Sequence, residues 1–131
     1  MPATYEDVAA VARRYPEVVE GERHGRRTWF VNKKAFAWER GFTKADLRRF
    51  GEEGISPPDG PILAVLVADM DDKAAVLDAG IRGIFDMAHF KGYPAVLIEM
   101  DKIHKRVLKT ALEDAWLAAA PKALVDAYLT R

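Results

Sequence analysis

The sequence predicts an α+β domain in which a mainly antiparallel sheet is covered by helices on one face, and three observations predict it. Two short runs, Ile62–Ala68 (I-L-A-V-L-V-A) and Ala95–Met100 (A-V-L-I-E-M), are apolar on both faces or nearly so, as strands inside a sheet are. Thr28–Val31 and Ala35–Arg40, rich in aromatic and β-branched residues, flank Asn32-Lys33-Lys34 and read as a hairpin with a short loop. Apolar residues at helical spacing give the order helix, hairpin, strand, helix, two strands, helices.

The amino-terminal helix is expected from about Tyr5 to Tyr15. Thr4 is its N-cap, Asp7 its third residue, Val8, Val11, Ala12 and Tyr15 one face, and Pro16 its end. Val18–Arg23 is a strand candidate near an edge. In the hairpin, Trp29, Phe30, Phe36 and Trp38 supply the packing surface. Gly41–Pro61 is irregular, except that Thr43, Asp46 and Gly51 bracket one or two helical turns with Leu47 and Phe50 on one side and Arg48 and Arg49 outward. Pro57, Pro58, Gly60 and Pro61 then hold an extended approach to the central strand at Ile62.

Asp69–Ala79 opens with acidic capping residues and ends at Gly80, which reads as a short helix, and Ile84-Phe85 makes a brief strand. Gly92, Tyr93 and Pro94 force a turn. In the strand that follows, Val96, Ile98 and Met100 share one face and Ala95 and Leu97 the other, with only Glu99 polar. Asp101 is the expected N-cap of the longest helix, whose stripe is Leu108, Leu112, Ala115, Trp116 and Ala119. Pro121 suits the first turn of a last short helix, with Leu124, Val125, Tyr128 and Leu129 closing one end of the core.

The run F-D-M-A-H-F-K-G-Y-P-A-V-L-I-E-M, a helix ending in W-L-A-A-A-P-K-A-L, T-Y-E-D-V at Thr4–Val8 and F-A-W-E-R at Phe36–Arg40 occur in an order that resembles the MmcQ/YjbR family of small bacterial proteins. The resemblance covers most of the chain and implies a fold similar to that of CyaY and frataxin. It also implies DNA binding of the double-wing type that the family's description carries. Gly41–Pro61 is an insertion relative to the family's usual connection.

At 131 residues the chain is expected to form a single domain, residues 1–131, able to bury a core unaided. With no cysteine, disulfides and thiolate metal sites are excluded. No basic start followed by an apolar run and no span of about 18 apolar residues occurs, so no membrane is expected and the expected location is cytoplasmic. The expected state is a monomer or a homodimer.

Net charge is zero, yet residues 23–49 hold nine basic and two acidic side chains, and residues 50–101 hold three basic and ten acidic. A local patch sets the field that an anionic partner meets, so the overall balance does not exclude nucleic acid. Arg26, Arg27, Lys33, Lys34, Arg40, Lys44, Arg48 and Arg49 lie on or beside the hairpin and insertion, where cations can neutralise phosphates; they are the candidate nucleic-acid-binding residues. The competing reading is a solvated face neutralised by the acidic middle of the chain.

Other chemistries lack their residues. There is no Walker or Rossmann glycine pattern, no G-x-S-x-G, and Ser56 is the only serine. His89 as a general base would require an orienting carboxylate, and a structural turn histidine is the simpler account. No H-x-x-x-H or H-E-x-x-H occurs; Glu6, Asp7, Glu17, Glu20 and Glu22 lack the density of an iron-binding ridge, and Asp69, Asp71 and Asp72 read as helix caps. No catalytic residue, metal ligand or cofactor is expected and an enzyme is disfavoured. DNA is the candidate partner. The alternative is a non-enzymatic domain that binds protein or a small ligand.

Overall fold

The computed structural model describes residues 2–131. Six strands, β1 (Val18–Arg23), β2 (Arg26–Val31), β3 (Lys34–Glu39), β4 (Ile62–Leu66), β5 (Ile84–Phe85) and β6 (Ala95–Glu99), form one sheet in the order β1-β2-β3-β4-β6-β5. Every neighbouring pair is antiparallel. Five α-helices accompany it: α1 (Tyr5–Ala12), α2 (Lys44–Glu52), α3 (Met70–Asp78), α4 (Lys105–Ala119) and α5 (Lys122–Leu129). A 3-10 turn occupies Ala88–Phe90. The class is the α+β arrangement predicted. No described helix is long and apolar enough to cross a membrane.

The two doubly apolar runs are interior strands. β4 lies between β3 and β6, β6 between β4 and β5, and every residue of β4 is buried. Helix α4 packs on β3 and β4, and α1 packs on α4. Tyr15, Trp116 and Tyr128 meet at the end of this layer, with ring centroids 4.9–6.0 Å apart, and the Trp116 indole donates to the Pro16 carbonyl at 3.1 Å.

Three of the departures from the expected boundaries have a local cause. Helix α1 stops at Ala12, because Arg14 and Tyr15 donate to Val11 and Ala12, three residues back, which tightens the chain out of the α ladder. Helix α4 is capped by His104, whose Nδ1 accepts from the Arg106 amide at 3.1 Å, and not by Asp101. The Lys102 and Ile103 amides both turn back onto the Glu99 carbonyl, so Asp101 lies in a turn and Ile103 is buried. The β2–β3 loop has two residues, not three: Asn32 and Lys33 take φ of 48° and 66°, Val31 pairs with Lys34, and Lys34 begins β3. Positive φ at both central positions is the type I′ geometry whose twist suits a hairpin. The β1–β2 turn, His24-Gly25, has the same form, with φ of 53° and 73°.

Candidate binding cleft

Alternation along β2 divides its side chains between two environments. Arg27 and Trp29 face the helix layer, where the Arg27 guanidinium meets Glu6 of α1 at 2.6 Å and Glu20 at 3.0 Å, and Trp29 donates to Glu20 at 3.1 Å. Arg26 and Thr28 line a cleft on the opposite face. On β3 the pairing slips: Trp29 opposes Ala37 while Phe30 opposes Ala35, leaving Phe36 as the extra residue of a bulge. With that residue inserted, Ala35, three positions before Trp38, and Trp38 both line the cleft, whereas Phe36 and Ala37 are fully buried.

The cleft has a volume of about 870 Å³ and runs along the whole length of β2 and β3. Arg23, His24, Arg26 and Arg40 stand toward one end of these strands, and Lys33 and Lys34 at the other. The five rises of β2 from Arg26 to Val31 separate the ends by roughly 17 Å, at about 3.4 Å each. Glu39 is the one carboxylate in the lining, and its Oε1 accepts the Arg27 amide at 2.8 Å. Among the described residues, Arg23, Arg26, Lys33 and Lys34 have no carboxylate within 4.0 Å. The Arg26 guanidinium lies directly against the Cα of Gly41, where any Cβ would collide with it.

Facing the sheet is a wall made by the Ala88–Phe90 turn and the residues after it. Phe90 stacks on Trp38 with centroids 6.4 Å apart and planes at 25°, and Tyr93 meets Phe90 edge-on at 6.1 Å. The Arg40 guanidinium sits 5.5 Å from the Phe90 centroid. The wall is anchored from α3: the buried Lys73 ammonium donates to the Phe90 and Tyr93 carbonyls at 2.6 and 2.8 Å and pairs with Asp86 at 3.1 Å. Asp86 Oδ1 makes this ion pair without a hydrogen-bond partner of good geometry.

Asp46, almost fully buried at the start of α2, ties the cleft to that helix. Its Oδ2 accepts from the Thr43 amide and from Arg40, each at 2.9 Å. Burial raises its pKa, but the Thr43 amide and the Arg40 charge outweigh that, and the net position is below the ordinary carboxylate value. Arg40 therefore enters the cleft already paired. His89 lines the cleft with its side chain largely exposed, and its Nδ1 is 3.9 Å from Asp46 Oδ1, beyond the hydrogen bond by which a carboxylate orients a catalytic histidine.

Of the eight residues singled out by sequence, Arg26, Lys33, Lys34 and Arg40 converge on the cleft. Arg27 lies among the acidic groups of the helix face, and Lys44, Arg48 and Arg49 are exposed on α2 outside it, Arg49 beside a small hollow with Glu53 and Met87. The cleft adds Arg23, Trp38, Phe90 and Tyr93. The aromatic content of the A-H-F-K-G-Y-P turn was the one signal that could have pointed to the last two.

No family model matches the chain. No solved structure gives a significant match. The chain is 39% identical over 127 residues to the uncharacterized protein Rv2570 of Mycobacterium tuberculosis (strain ATCC 25618 / H37Rv), across 97% of this chain and 96% of that protein. The uncharacterized protein Mb2600 of Mycobacterium bovis (strain ATCC BAA-935 / AF2122/97) shows the same identity and coverage.

Proposed function

Since the chain belongs to the family of these uncharacterized mycobacterial proteins, whose names carry no activity, we propose from its own residues that it is a nucleic-acid-binding module that contacts phosphate through the cleft. The observation that carries this is the set of four cations, Arg23, Arg26, Lys33 and Lys34, held in a concave site without carboxylate partners while the chain as a whole is neutral. A cleft lined mainly by cations, with Glu39 its one carboxylate, focuses the field on an anion. DNA as the partner, a fold of the MmcQ/YjbR type and a cytoplasmic location belong to the same proposal; the motifs shared with that family support the first two.

Binding is expected to be weak, indifferent to base sequence and steeply salt-dependent, each phosphate contact on a duplex contributing about −0.9 to the slope of log affinity against log salt. Fluorescence anisotropy with labelled oligonucleotides tests this. Lys33→Ala/Lys34→Ala should lower affinity and flatten the slope, whereas Arg48→Ala/Arg49→Ala should do so less, because those side chains stand outside the cleft. Absence of binding to duplex and single strands at about 50 mM salt, where screening is weak, would remove the proposal. The volume of the cleft, about 870 Å³, favours one second reading, a site for a small anionic ligand, since such pockets span about 300–1,000 Å³.

A further inference from the structure

We infer that the cleft accepts a single strand, with an unpaired base stacked against Tyr93, beside Trp38, and the phosphates on either side held by the cations at its two ends. The inference rests on the nucleic-acid reading and narrows its ligand class. Trp29, Phe36 and Trp116 are fully buried in the core, whereas in the cleft Trp38 is only partly covered and Tyr93 is 48% exposed. Both are held in place by Phe90, so they present fixed ring surfaces, and every nucleobase offers a face to such a surface.

Trp38 lies between the sheet and the Ala88–Tyr93 wall and Tyr93 stands on that wall, whereas a duplex carries its phosphates on the outside of a convex rod with its bases stacked within. A duplex could touch the rim cations but leaves the rings without a partner. A strand with unstacked bases serves both. The spacing of the cations adds a second argument: with roughly 17 Å between the ends of β2, from the strand rise, a single nucleotide cannot reach Arg26 and Lys33 together, whereas a strand of a few nucleotides can.

The test compares, at about 50 mM salt, a labelled single strand, the blunt duplex of the same sequence, an abasic strand of the same length, and a nucleoside monophosphate as competitor. The single strand should bind at least tenfold more tightly than the duplex and about tenfold more tightly than the abasic strand, in line with the contribution of one stacked base. The monophosphate should compete only weakly. Tyr93→Ala removes an exposed ring and keeps the carbonyl that Lys73 holds; it should weaken the single strand about tenfold with an unchanged salt slope, because stacking releases no counterions. Trp38→Phe, which keeps a ring on Phe90, should weaken it less. Equal binding of duplex or abasic strand, full competition by the monophosphate, or an unaltered Tyr93→Ala protein would each overturn the inference while leaving phosphate binding intact. If no oligonucleotide binds, phosphate binding fails as well, which is a different outcome.

Discussion

Single side chains carry two separable kinds of information here. Trp116 was legible from helical spacing alone, and it is fully buried against Tyr15 and Tyr128. Trp116→Ala should cost about 3–5 kcal/mol in a denaturant melt, since it opens a cavity and leaves the Pro16 carbonyl without its donor. Asp46 was legible only as a helix-start residue; its bond to Arg40 depends on where β3 ends relative to α2. Because its folded-state pKa lies below the ordinary 3.8, its stabilisation is complete above that value and lost as pH falls through the lower folded-state value. The stability gap between wild type and Asp46→Asn should therefore be constant near neutrality and close on acidification below about pH 4, measured by urea melts across that range. Lys73 was not legible at all. A lysine in a helix that begins with three aspartates reads as solvated, and only the tertiary fold brings it two carbonyls from seventeen and twenty residues away.

Among the elements, the interior strands and the β2–β3 hairpin followed from local pattern, because an apolar run and a turn signal are properties of a few consecutive residues, whereas of the β1–β2 hairpin only the strand candidate Val18–Arg23 was legible. The bulge at Phe36 did not, since it is a mismatch between two strands and neither strand encodes it alone. It is also what turns Trp38 toward the cleft. The cap of α4 moved from Asp101 to His104 because the Glu99 carbonyl captures two amides first. The β2–β3 turn holds a lysine at φ 66°, where glycine is favoured. Lys33→Gly should stabilise the domain by up to about 1 kcal/mol while weakening oligonucleotide binding. A parallel measurement of melting temperature and affinity checks both, and a loss of stability would place the turn in another conformation.

Across the whole molecule, neutrality conceals segregation: the acidic groups that balance the chain lie largely away from the cleft, a distribution legible in sequence order but not in total charge. Among the described residues no group of three or more histidine, cysteine or acidic side chains is arranged to hold a metal ion. Stoichiometric Zn²⁺ or Fe²⁺ should accordingly leave the thermal midpoint unchanged, because only a ligand that prefers the folded state raises it; a chelator-reversible rise would contradict this. The anchoring of the wall has a wider consequence. Lys73 grips main-chain oxygens at Phe90 and Tyr93, which every amino acid possesses, so the path of the wall is independent of what the exposed positions 89 and 93 display. Those two positions can diverge among descendants, or be randomised in a library, and yield new binding preferences on an unaltered mount, provided the lysine beneath them stays.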